Sequence, residues 1–132
     1  MAAVSGKLES VLLSLSDDLA RAISDRDAEA AARDVQEDEH VVYISNGKVI
    51  RGNEYRGVLT QFYASMQKID FRWEKREIQK MDDTAGVVTG WAEISMSDNA
   101  GSMKTDRAMF TIVYKYDGGA WKMLTAHKTS IK

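Results

Sequence analysis

The side chains of this sequence best suited to moving a proton or holding an anion are His40, His127 and Lys128. Histidine titrates near neutrality and so suits general acid or base work. A metal site needs three or four convergent ligands, and two histidines 87 positions apart do not supply them. No metal is expected, and no cofactor. The absence of cysteine excludes a thiolate nucleophile, a thiolate metal site and a disulfide scaffold together. His40 follows Glu39 ahead of a turn and reads as solvated. Lys128 closes an apolar run, and two readings of it stay open. It is either an anchor for an anionic ligand group (a base, if desolvated), or a strand-end lysine whose stem lies on apolar surface while its ammonium reaches water. Tyr43 and Tyr114 can donate hydrogen bonds to a ligand or to the core backbone.

The elements that must position these groups follow from periodicity. Leu8, Val11, Leu12, Leu15, Leu19, Ala22 and Ile23 recur at helical spacing, which predicts an amphipathic helix of about four turns. After a break at residues 24–27, Asp27 is expected to cap a short helix over 28–35. Residues 41–44 and 48–51 flank Asn46-Gly47, a strong hairpin signal because both residues tolerate positive φ. Gly52 then closes the hairpin, and Asn53 is expected to cap a helix carrying Tyr55, Val58, Leu59, Phe62, Tyr63 and Met66 on one face. Strands are predicted over 69–81, 85–97, 106–116 and 121–129, with turns at Asp82-Asp83, Asp98 to Gly101 and Asp117 to Gly119. Helices first and a long meander afterwards mean an α+β fold, a bent antiparallel sheet with the N-terminal helices on one face.

Alternation along a strand divides the late strands into two faces. One reads Val88, Gly90, Ala92, Ile94, Met96, then Ala108, Phe110, Ile112, Tyr114, then Leu124, Ala126, Lys128. It is nearly all apolar, matches the helix stripes, and is expected to be an interior lacking carboxylates. The other carries Trp91, Glu93, Met109, Thr111, Trp121, Met123, Thr125 and His127, large groups among polar ones. That is the composition of a protein interface, and a second copy of this chain is the expected occupant. His127 takes a structural role there. Arg72, Glu74, Lys75, Arg76 and Glu77 read as a mixed-sign exposed edge that favours solubility.

At 132 residues, 44% hydrophobic and 29% charged, the chain is expected to form one globular domain over 1–132. A net charge of −2 gives no argument for nucleic acid, and the apolar runs are far too short to span a membrane. With no secretory layout at the N-terminus, a cytoplasmic protein is the simplest reading.

The hairpin "VVYISNGKVIRG" and the closing strands "FTIVYKYDGGAWKMLTAHKTS", in this order after the helices, resemble the nuclear transport factor 2-like superfamily in its SnoaL-like and ketosteroid isomerase-like branch. The chain is also similar to the association domain of calcium/calmodulin-dependent protein kinase II. The resemblance spans Leu8 to Ser130. It implies a cone, a curved sheet wrapped around helices with a pocket at the open end, in dimers joined through the outer sheet face. In the isomerase a carboxylate base, a tyrosine and a protonated acid do the work. Their counterparts fall near Tyr43, Leu19 and Thr111 or Ile112, so all three roles are empty. The arginines of the kinase domain's pocket match Ala92, Ile112 and Lys128.

The expected function is therefore a homodimer that binds a small organic molecule. Its pocket would be lined by Tyr43, Phe62, Ala92, Ile112, Tyr114, Leu124 and Ala126, with Lys128 as polar anchor. An isomerase, dehydratase or hydrolase of the same branch is the first alternative. A pure dimerisation module, its interior filled by Met96 and Tyr114, is the second.

Overall fold

The computed structural model describes residues 2–131, with side chains from Lys7 onward; Met1 and Lys132, part of the expected 1–132 domain, lie outside the described residues. Helix α1 (Ala2–Ser24) and short α2 (Ala28–Ala31) precede the hairpin β1 (Val42–Ser45) and β2 (Lys48–Arg51). A 3-10 turn (Gly52–Glu54) leads into α3 (Tyr55–Ala64), and four long strands follow: β3 (Met66–Asp82), β4 (Ala85–Asp98), β5 (Met103–Asp117) and β6 (Ala120–Ile131). One sheet results, in the order β2-β1-β6-β5-β4-β3.

Local chemistry accounts for most boundaries. Asp27 caps α2 by accepting from Ala30 N at 3.1 Å. The helix stops at Ala31, short of the expected Val35, because Val35 bridges in parallel to Met123 on β6. Asn46 and Gly47 take φ of 50° and 83°, the positive pair the hairpin turn requires. Asn53 caps nothing: it lies inside the 3-10 turn, and α3 starts without a side-chain cap. Met66, expected on α3, opens β3 instead.

The sheet is mixed, not wholly antiparallel. β1 runs parallel to β6, pairing Tyr43 with Ala126 and Ser45 with Lys128. The hairpin thereby extends the wall of the sheet beyond β6. Its tip is tied down by Asn46, which donates to Ser130 Oγ at 3.1 Å and accepts from Ser130 N at 2.7 Å.

Helix α1 lies against β3 and β4, burying Leu8, Leu12 and Ala22. A fully buried leucine contributes about 1.5–3 kcal/mol relative to an exposed one. Ser16, on the same stripe, is buried and returns its hydroxyl to Leu12 O at 2.9 Å. Gly90 leaves room for the indole of Trp73, since a Cβ there would sit 2.8 Å from Trp73 Cε3. Arg76, expected on an exposed edge, faces inward because β3 slips register between Trp73 and Lys75. It donates to Leu13 O, Ser16 Oγ and Asp17 on α1.

Two expected outer-face residues also face inward. β6 slips register at Val113/Tyr114, where Val113 faces Thr125 but Tyr114 faces Met123. Leu124 is the extra residue, a bulge that reverses the parity before it. Met123 is consequently buried beside Tyr114 and Val35, and Trp121 packs on the same core and on the Tyr116 ring. No described helix is long and apolar enough to cross a membrane.

Candidate functional site

Beyond α1 the concave face stays partly uncovered, and a cavity of about 650 Å³ opens there. That volume lies in the usual range for small-molecule sites. Its walls come from α1 (Leu19, Ile23), the hairpin, α3 and the inner rows of β3 to β6. The floor is buried and apolar, with Ile69, Phe71, Ile94 and Ile112, while Asn46, Lys48, Gln61, Phe62 and Lys104 form an exposed rim.

Of the eight side chains expected in the pocket, Tyr43, Phe62, Ile112, Ala126 and Lys128 line this cavity. Ala92 lies sealed in the core with Phe71 and Ile94. Tyr114 is also sealed, and its hydroxyl is buried without a hydrogen-bond partner. Leu124 is displaced by its own bulge and leaves the cavity lining to Met123. Of the residues expected on the outer face, Trp91, Glu93, Met109, Thr111, Thr125 and His127 are there. Trp91 faces Met109, Glu93 faces Arg107, and Thr111 faces His127 across the strands. Lys75 Nζ lies 5.1 Å from the Trp91 ring centroid. His127 is exposed, with Thr129 Oγ1 3.2 Å away, and His40 is exposed beside Glu39.

The interior does contain a carboxylate. Asp106 lines the cavity with a side chain only 11% exposed, 3.4 Å from Lys128 Nζ. Ser130 Oγ donates to the same Asp106 oxygen at 2.8 Å, so Asn46, Ser130, Asp106 and Lys128 form one chain of polar contacts. The signal was available, because Lys104 and Asp106 precede Ala108 by even steps and β5 starts at Met103.

Tyrosines supply the remaining polar groups. Tyr43 donates to Met123 O at 2.7 Å, which also accepts from Gln36 N. Its ring lies 4.8 Å from that of Tyr55. Tyr55 and Tyr63 line the cavity, and neither hydroxyl is hydrogen-bonded to a described residue. Burial pushes the Tyr55 phenol up to about 12 and raises those of Tyr43, Tyr63 and Tyr114 as well. The neighbouring Tyr55 raises each of the other three further. They remain neutral donors across the physiological range. The arrangement can hold an apolar body, donate hydrogen bonds from phenols, and present one paired acid and base.

The fold has well-defined relatives. A nuclear transport factor 2-like superfamily protein from Salmonella enterica serovar Typhimurium superposes with a TM-score of 0.84 at 10% identity, over 97% of this chain and 94% of that one. The hexachlorocyclohexane dehydrochlorinase LinA-type3 from Novosphingobium barchaimii gives 0.84 at 12% identity, over 100% and 92%. A candidate calcium/calmodulin-dependent protein kinase II association domain from Xanthomonas campestris gives 0.77 at 19%, over 91% and 85%. At such identities the likeness is one of fold, and this fold serves many chemistries. A search of curated proteins by sequence finds no match. The SnoaL-like domain model matches residues 12–131, from the middle of α1 to the end of β6, and the chain belongs to that family.

Proposed function

We propose that this chain is a small-molecule-binding protein that works as a homodimer. The carrying observation is the cavity of about 650 Å³ with a buried aliphatic and aromatic floor. Water held against such walls is released when an apolar ligand enters, and that release drives binding. A collapsed interior, which a chain serving only dimerisation would have, is at odds with this volume. The outer sheet face supports the second half of the reading. Met109 is 38% exposed there, beside the partly exposed Trp91. The pairs Arg72–Glu93 and Arg107–Glu74 rim these apolar groups with charges already matched. An apolar centre with a neutralised polar rim suits a self-complementary contact.

The experiment is a titration with the neutral fluorophore N-phenyl-1-naphthylamine, with light scattering on the same sample. Saturable binding of one probe per chain is expected, and it should disappear in a folded Ala126→Trp variant that fills the cavity. Scattering should give twice the chain mass and fall to one chain in Trp91→Glu. Absence of saturable binding by the wild type overturns the ligand half; a monomer at every concentration overturns the dimer half.

One observation favours an enzymatic second reading: the inward carboxylate Asp106, beside Lys128, shares the cavity with the unbonded phenols of Tyr55 and Tyr63. The dehydrochlorinase neighbour has the same fold. A carboxylate and neutral phenol donors are the parts that a proton-transfer isomerase or dehydratase needs.

A further inference from the structure

We propose that the cavity takes organic anions, carboxylic acids carried on an apolar ring, and that one of the rim lysines, Lys48 or Lys104, meets the carboxylate instead of Lys128. This inference rests on the small-molecule reading above and names its ligand class. Among the described residues, the charged ones lining the cavity are Lys48, Lys104, Lys128 and Asp106, three cations against one anion. In a chain with a net charge of −2, this opening therefore carries a local excess of positive charge. Lys128 is already matched by Asp106. Asp106 is also held by Ser130, itself fixed by two hydrogen bonds to Asn46, so it cannot swing to either of the other lysines without breaking that chain. Lys48 and Lys104 form no ion pair with a described residue.

Register distributes the cations around the opening. Lys48 pairs with Ser45, and Ser45 pairs with Lys128, so their backbones lie in one row, about 10 Å apart at the usual strand spacing. Lys104 stands two residues before Asp106 on the inner face of β5, about 7 Å away along the strand. Lys48 stands level with Phe110, and Lys104 lies six residues from Phe110 along β5, about 20 Å. A carboxylate at the rim therefore meets one of these lysines while its ring lies against the apolar wall beside it. A neutral ring of the same size would gain the apolar contact only.

The test is displacement of bound N-phenyl-1-naphthylamine by 2-naphthoate and by methyl 2-naphthoate, which differ in charge and little in shape. At low salt the acid should displace the probe at about twofold to fivefold lower concentration than the ester, as one partly exposed ion pair allows. That gap should narrow as salt is added. The double variant Lys48→Gln/Lys104→Gln, at exposed positions where folding is verified by thermal melting, should close the gap and leave the ester unchanged. Asp106→Asn should widen it by releasing Lys128. Equal displacement by acid and ester, a gap that survives the double variant, or no widening in Asp106→Asn overturns this inference and leaves the small-molecule reading intact. Failure of the probe to bind overturns both.

Discussion

Arg76 and Lys128 stand in one transverse row of the sheet, on the same concave face. The row runs Lys48, Ser45, Lys128, Phe110, Gly90, Arg76 from edge to edge. At the β3 end α1 covers the row. There the Arg76 guanidinium is consumed by a helix carbonyl, a buried hydroxyl and Asp17, and lies 5.8 Å over the Trp73 ring. At the other end no described helix covers the row, and Lys128 pairs with Asp106, with open cavity beyond it. Residue type is thus a poor guide to role here. The overlying helix determines whether an inward cation is fixed into the fold or left within reach of a ligand.

The same division separates the tyrosines and gives the largest expected effect. Tyr114 is sealed in the core while Tyr43, Tyr55 and Tyr63 border the cavity, yet burial raises all four phenols above their ordinary 10.0. A raised folded-state pKa means that the folded protein holds its proton longer than the unfolded chain does. The stabilisation is complete below pH 10.0 and is lost as pH rises from there through about 12. One unit above the ordinary value, each tyrosine costs about 1.4 kcal/mol, so the four together cost at most about 6 kcal/mol. Urea unfolding at pH 9 and 11 measures the loss, and a flat profile would show that these hydroxyls ionise as freely in the fold as outside it.

Next in size is Arg76→Met, which keeps the stem over Trp73 but removes charged hydrogen bonds to Leu13 and Ser16. A loss of about 2–3 kcal/mol in urea unfolding is expected. Lys128→Met is the small member of the comparison. With the cavity open to water beside it, its stability change should stay within about 1 kcal/mol. The contrast between the two ends would be falsified if both substitutions cost the same.

Much of this architecture is legible in the sequence, for identifiable reasons. The α1 stripe, the Asn46-Gly47 turn and the inner faces of β4 and β5 are local patterns of period 3.6 or 2, and they appear where expected. The parallel pairing of β1 with β6 joins segments some 80 residues apart, as in the Tyr43–Met123 bond, and no local pattern encodes it. Alternation also fails across a bulge, which is why Trp121 and Met123 exchange faces and why Arg76 turns inward. The cavity was only half legible. Tyr43, Phe62, Ile112, Ala126 and Lys128 follow from strand and helix parity, but the space itself depends on where α1 and α3 stop covering the sheet. Asp106 lies upstream of Ala108, where the apolar alternation that marks the inner face of β5 gives way to polar residues, so its inward position is not marked by hydrophobicity.

The extra residue at Leu124 has a consequence for how such a fold can change. It acts as a phase shift between two halves of one strand. Residues 120–123 close the core under the α2 connection, and residues 125–131 supply the cavity wall and the outer surface. Straightening the strand at that point with every residue kept, so that Leu124 itself faces Val113, would leave the first half in place and exchange the two sides of the second. Thr125 and His127 would then turn toward the cavity, and Ala126 and Lys128 away from it. A histidine now on the outside thus lies one register step from the interior, a route by which a binding cavity could acquire an acid–base group without any change to that residue.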